Sequence, residues 1–229
     1  MKKKIHTTAY KTLFDHLGPS SWWPARTPFE VIIGAILTQN TSWKNVEKAI
    51  AALKEKKLLS AGQLSSMSVE ELGPIIRSSG YYNQKAKKVL LFLEWYKKYN
   101  YSPAAVKRKF SNDYHSLREE LLCVHGVGRE TADSILCYAF ELPFFVVDAY
   151  TFRWLSRYSP AHYFEKYDDL RLTVENEFQA VFESDITKHY NEYHALLVRL
   201  GNGICTKRNP ACHSCCLSLT CKKNIAESN

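Results

Sequence analysis

Leu121 to Asp148 reads LLCVHGVGRETADSILCYAFELPFFVVD, and the fold turns on how this stretch is read. Two helical patterns flank a short glycine turn, His125-Gly126-Val127-Gly128. In the second pattern Ala132, Ile135, Leu136 and Ala139 recur at i, i+3, i+4 and i+7, one face of a helix. Gly126 and Gly128 admit positive φ and let the backbone approach a ligand closely. A tight turn feeding a helix start leaves backbone N–H groups pointing outward. With the helix dipole, those groups suit a phosphate. The plain alternative is an αα-hairpin connection with no ligand. A lone acid, Asp148, follows an apolar run. It is placed either to cap a helix over Ala149–Tyr158 or to do chemistry.

Composition narrows the choice. The 229 residues suffice for one large domain or two small ones with a real core. Hydrophobic residues make up 45% and aromatics 13%, which excludes a disordered chain. A formal net charge of +8 with a pI near 9.0 favours a polyanionic partner, DNA or RNA; a generic basic protein has the same balance. No apolar run is long enough to span a bilayer, so no membrane partner is expected. The start, MKKKIHTTAYKTLF, has a basic cluster but no apolar signal region, so the expected location is cytoplasmic, at the nucleoid. Of the seven cysteines, Cys123 and Cys137 sit on apolar helix faces and are expected in the core.

Along the chain, residues 6–17 predict a short helix. Trp22 and Trp23 then stand in a loop, either plugged against the core or offering a stacking surface for a nucleobase. Pro28 starts a buried helix through Phe29, Ile32, Ile33, Ile36 and Leu37. The polar run Thr38-Gln39-Asn40-Thr41-Ser42 breaks it, and Ser42 can cap the next helix. Gln39 and Asn40 are either turn chemistry or fingers that hydrogen-bond in a duplex. Trp43 follows directly, either in the core or facing the same site. Ser68 caps a helix over Val69–Arg77 with Glu70 and Glu71 in its first turn. The next helix carries Lys85, Lys87, Lys88, Lys97 and Lys98, a solvated face or a DNA backbone contact. Pro103 and Asn112 restart two more helices, and residues 168–182 and 186–200 give another two. No period-two alternation appears, so the fold class is all-α.

The tail reads GNGICTKRNPACHSCCLSLTCKKN. Cys205, Cys212, Cys215 and Cys221 are spaced C-x6-C-x2-C-x5-C, with Cys216 the odd one out. In a reducing compartment such crowding reads as metal or iron–sulfur ligands rather than disulfides. Four thiolates suit zinc and a cubane cluster equally. Lys207, Arg208, Lys222 and Lys223 surround them.

Together LTQNT, GYYNQKA, VHGVGRETA, VVDAY and the cysteine loop resemble the helix-hairpin-helix DNA glycosylase superfamily, specifically its endonuclease III-like branch. The resemblance covers nearly the whole chain, and the cysteine spacing matches the family's [4Fe-4S] signature. It implies two all-α domains with a DNA-binding cleft between them. Residues 25–143 would form a six-helix barrel containing the hairpin. Residues 1–24 and 144–229 would form the iron–sulfur domain. The resemblance also assigns roles. Gly126, Val127 and Gly128 would hold a backbone phosphate and Asp148 would be catalytic. Asn40, with Gln39 as the alternative, would fill the gap left by an extruded base. The partner would be double-stranded DNA containing a damaged base, bound by a monomer.

One position departs. Lyase-competent endonuclease III enzymes carry a lysine as GVGRKTA, where this chain has Glu130. A carboxylate cannot form a Schiff base with the sugar C1′. Base removal without strand cleavage is therefore expected. The loop with Trp22 and Trp23, followed by LTQNTSW, resembles the endonuclease III-like 3-methyladenine glycosylases. Trp22, Trp23 and Trp43 would then form the base pocket, since a cationic alkylated purine stacks well on indoles. The alternatives are a bifunctional endonuclease III acting on oxidised pyrimidines and a non-enzymatic damage-binding module. Purine-mismatch glycosylases are also similar, but their early catalytic glutamate is not evident; Glu30 lies too far before Gln39-Asn40.

Overall fold

The computed structural model describes residues 4–20, 25–111, 113–223 and 225. Every regular element among them is helical. By contact the chain divides into two compact units, one of residues 25–142 and one of residues 1–24 with 143–229.

The contiguous unit is built around α2 (Pro28–Leu37). Thr27 caps it by accepting from Glu30 N, and Pro28 occupies its first turn, where a missing N–H costs nothing. Eight of its ten residues are buried, including Ile32, Ile33 and Ile36, so it is a core helix rather than an amphipathic one. Around it lie α3 (Trp43–Glu55), α4 (Ala61–Ser65), α5 (Val69–Ile75), α6 (Tyr82–Lys97), α7 (Pro103–Phe110), α8 (Tyr114–Cys123) and α9 (Arg129–Ser134). Ser68 and Glu71 form a reciprocal capping box at α5. The helix stops at Ile75, short of the expected Arg77, and a 3₁₀ turn follows. From Ile135 to Ala139 the second hairpin helix widens into a π-turn. Apolar spacing does not distinguish that turn from α, because the same side chains stay buried.

Two expectations are corrected here. Cys123 is exposed at the end of α8, whereas Cys137 is buried as expected. Lys85 belongs neither to a solvated face nor to a DNA contact. It is 2% exposed and donates to Leu37 O at 2.8 Å and Ser79 O at 2.5 Å. It thus satisfies a carbonyl that the end of α2 leaves without a helical partner. Burial, together with Lys88, pulls its ammonium down to about 8.

The discontinuous unit joins α1 (Ile5–Leu17) to α10 (Ala149–Tyr158), α11 (Tyr167–Gln179) and α12 (Ile186–Gly203). Polar ties fix α1 to its distant partners: Thr7 N and Oγ1 both donate to Glu177 Oε1 at 2.8 Å, and His6 Nδ1 meets Tyr193 OH at 3.2 Å. The core is aromatic, with the Tyr193 ring in contact with both Phe145 and Phe178. No helix is long and apolar enough to cross a membrane.

Candidate functional site

In the contiguous unit the hairpin occupies the turn between α8 and α9. Gly126 has φ +90, a conformation costly for any residue with a Cβ. A Cβ there would also lie 2.4 Å from Lys88 Cγ, because the lysine stem crosses directly beneath the turn. Gly128 is the N-cap of α9 with no side-chain cap, so this helix start is left to its backbone groups. Buried Arg118 on α8 forks onto Asp133 on α9 at 2.6 and 3.0 Å, tying the two hairpin helices together. Glu130 lies exposed in the first turn of α9.

Gln39 and Asn40 prove unlike one another. The Gln39 side chain is half-buried and turned inward. Its Nε2 donates to Gly126 O at 2.9 Å and Thr131 Oγ1 at 3.0 Å, and its Oε1 accepts from Lys88 Nζ. Asn40 is exposed and has φ 54. Trp43 is half-buried, with its indole N–H donated to Glu47 Oε1 at 3.0 Å. Trp22 and Trp23 lie outside the described residues. Tyr81, not singled out as a site residue by the sequence, is 69% exposed with φ 47.

In the discontinuous unit the non-helical run before Asp148 is pinned by α11. Phe145 N donates to Glu175 Oε1 at 2.9 Å and Val147 N to Tyr167 OH at 3.3 Å. The run thereby satisfies backbone donors that lack a helix ladder. Arg171, itself buried, holds Glu175 in place at 2.7 Å. Asp148 then caps α10: its Oδ1 accepts from Thr151 N at 2.7 Å and Thr151 Oγ1 at 2.8 Å. Its Oδ2 faces His194 Nε2 at 3.4 Å, a contact across 46 residues that no local pattern signals. Burial pushes the Asp148 carboxyl up, but His194 and the Thr151 hydrogen bonds outweigh it and hold the group below its ordinary value. A buried, ionised carboxylate with one oxygen fixed as a cap is rigidly aimed.

The cysteine loop follows α12. Cys205, Cys212, Cys215 and Cys221 line one cavity floored by Trp154 and Leu200. Cys216 is not among its lining residues. Arg157 on α10 braces the loop, donating to Thr206 O at 2.7 Å, Lys207 O at 2.9 Å and Cys205 Sγ at 3.3 Å. Trp154 is buried, and its indole N–H has no partner among the described residues. Burial raises the Cys215 and Cys221 thiols, and neighbouring thiols add to this. Among the described residues, no three His, Cys, Asp or Glu side chains converge as the ligands of a metal ion. Lys207, Arg208, Lys222 and Lys223 are exposed around the loop.

Residues 33–180 match the model of the HhH-GPD superfamily of base excision DNA repair proteins. The chain belongs to that superfamily. It is 42% identical over 215 residues to a candidate DNA repair glycosylase of Methanocaldococcus jannaschii, covering 93% of each chain. It is 28% identical to the endonuclease III of Thermotoga maritima, covering 85% of this chain and 83% of that one. Among solved structures it resembles the Helicobacter pylori 3-methyladenine DNA glycosylase MagIII bound to 1,N6-ethenoadenine. That match has a TM-score of 0.72 and 29% identity, over 86% of this chain and 96% of the other.

Proposed function

We propose that this HhH-GPD protein is a monofunctional DNA glycosylase that hydrolyses the N-glycosidic bond of alkylated purines, 3-methyladenine first. The observation that carries the reading is Glu130. It stands where a Schiff-base lysine is expected, while a carboxylate suited to hydrolysis, Asp148, is held ionised.

The chemistry follows from the substrate. A purine alkylated on a ring nitrogen is cationic and already a good leaving group, so little general-acid assistance is needed. Asp148 would stabilise the positive charge that develops on the sugar and orient the attacking water. The base must first leave the stack. Gly126, Val127 and Gly128 would hold a phosphate of the bent backbone, and Asn40 would fill the vacated space. Trp22, Trp23 and Trp43 would stack on the base; likeness to MagIII supports an alkylated purine there.

Cys205, Cys212, Cys215 and Cys221 would hold a [4Fe-4S] cluster. The residues fit: four thiols share one cavity, and Trp154, whose buried indole N–H has no partner among the described residues, lines it too. Held by these four residues, the cluster would fix the fold of the loop that displays Lys207, Arg208, Lys222 and Lys223.

The test offers the purified protein methylated duplex DNA beside DNA containing thymine glycol. Release of 3-methyladenine with the strand intact is expected, and Asp148→Asn should abolish release while leaving DNA binding largely unchanged. Likeness to an endonuclease III supports the second reading, a bifunctional enzyme on oxidised pyrimidines. Thymine glycol release with a borohydride-trapped protein–DNA adduct would establish it instead.

A further inference from the structure

Gln39 sits one residue before the proposed gap-filling Asn40, yet its side chain is bonded inward while Asn40 is exposed. Three hydrogen-bond partners from three segments meet its amide: Lys88 Nζ from α6, Gly126 O from the hairpin and Thr131 Oγ1 from α9. The partners leave only one assignment of the amide. An ammonium can only donate and a carbonyl can only accept, so the oxygen faces Lys88 and the nitrogen faces Gly126. Entering a duplex would cost Gln39 all three bonds and would strip Lys88 of its acceptor.

On one side the loop Thr38–Ser42 is continuous with α2, which is buried from Glu30 to Leu37. On the other, Gln39 ties it to the turn that would grip the phosphate. Lys88 serves both ends: its head holds Gln39, and its stem lies under Gly126, where a Cβ would collide. Hairpin, lysine and glutamine are thus one connected network within one unit. Asn40 is the exposed residue carried on it, in the left-handed conformation.

We propose that Gln39 is a positioning residue that couples the hairpin's grip on the DNA backbone to the placement of Asn40 in the base stack. The proposal rests on the roles assigned above to Asn40 and the hairpin. Through this link, a hairpin seated on phosphate presents Asn40 at a fixed offset. Without it the two contacts form independently, and the entropy of ordering the loop falls on binding.

The test is a double-mutant cycle on Gln39→Leu and Asn40→Ala. The probe is a duplex bearing a tetrahydrofuran abasic-site analogue with 2-aminopurine opposite. This probe is independent of which base the enzyme removes. Binding and 2-aminopurine fluorescence are read together, with undamaged duplex as the control for the backbone grip alone. Each single change is expected to weaken abasic-site binding about tenfold, and the double variant to be no weaker than either single one. Gln39→Glu, which keeps the Lys88 contact but loses both donors, should match Gln39→Leu, and it serves if the leucine variant folds poorly. Additive losses, or an equal loss of Gln39→Leu binding on undamaged duplex, would overturn the coupling while leaving the role of Asn40 intact. A silent Asn40→Ala would overturn the gap-filling role itself and the coupling with it.

Discussion

At the residue scale, the two oxygens of Asp148 divide the labour. Oδ1 is spent on Thr151, and Oδ2 faces His194. Among the described residues these are the groups acting on the carboxyl, and together they keep it ionised against its burial. Removing the imidazole leaves burial to dominate. His194→Leu should therefore raise the Asp148 pKa, and the acid limb of a single-turnover pH–rate profile should move up by about one unit. The sign is fixed by the reaction needing the carboxylate: activity is present above the depressed pKa and is lost as pH falls through it. An unmoved limb would mean that His194 does not govern the acid. Legibility differs sharply among these residues. Asp148 could be found from the sequence because a cap announces itself locally, by an acid directly before a helical pattern. His194 could not, because its approach is created by packing α12 against α10. As neighbouring amides Gln39 and Asn40 are alike in chemistry, and the resemblance ranks Asn40 first; the positions of Lys88 and Gly126 give the physical difference between them.

At the element scale, helix starts were readable at Ser68 and Asp148, where a side chain caps the backbone, but not at the short α4, which Ser60 caps in the same way; helix interiors were readable wherever apolar spacing is regular. The π-turn was not, since burying Ile135, Leu136 and Ala139 satisfies the same pattern. Nor was Lys85, which stands in a lysine-rich helix beside exposed Lys87 and half-buried Lys88 yet is folded inward onto the end of α2. The pairing of α1 with α12 carries its own pH dependence. His6 is buried against Trp154 and Tyr193, and this burial, helped by His162, pulls it down to about 3. Below pH 6.5 the unfolded chain binds a proton that the folded chain refuses. Stability should therefore fall as pH drops below that value, by about 1.4 kcal/mol per unit from this group. Urea unfolding at pH 7 and pH 5 should differ by about 2 kcal/mol on its account. His6→Gln should flatten that difference. A wild-type protein equally stable at both pH values would contradict the burial of a neutral imidazole.

At the scale of the whole molecule, the net charge of +8 makes DNA binding a matter of displaced counterions. If on the order of six phosphates are contacted, affinity for undamaged duplex should drop roughly 10³-fold between 50 and 200 mM salt. A slope near zero on a log–log plot of affinity against salt would rule out a backbone-led interface. The division into two units has a different kind of consequence. The chain leaves one unit at Pro24 and re-enters it at Pro143, so residues 25–142 are an insertion. On the ribosome that insertion is complete while only residues 1–24 of its host have been made. Helix α1 emerges first, yet His6 and Thr7 must wait for Tyr193 and Glu177 before they find partners. The contiguous unit needs only residues 25–142 to bring α2 against α9, whereas the host must close a loop over all of them. Synthesis thus has a built-in order: the elements proposed to grip DNA form first, and the acid, its histidine and the cysteine loop are assembled together at the end.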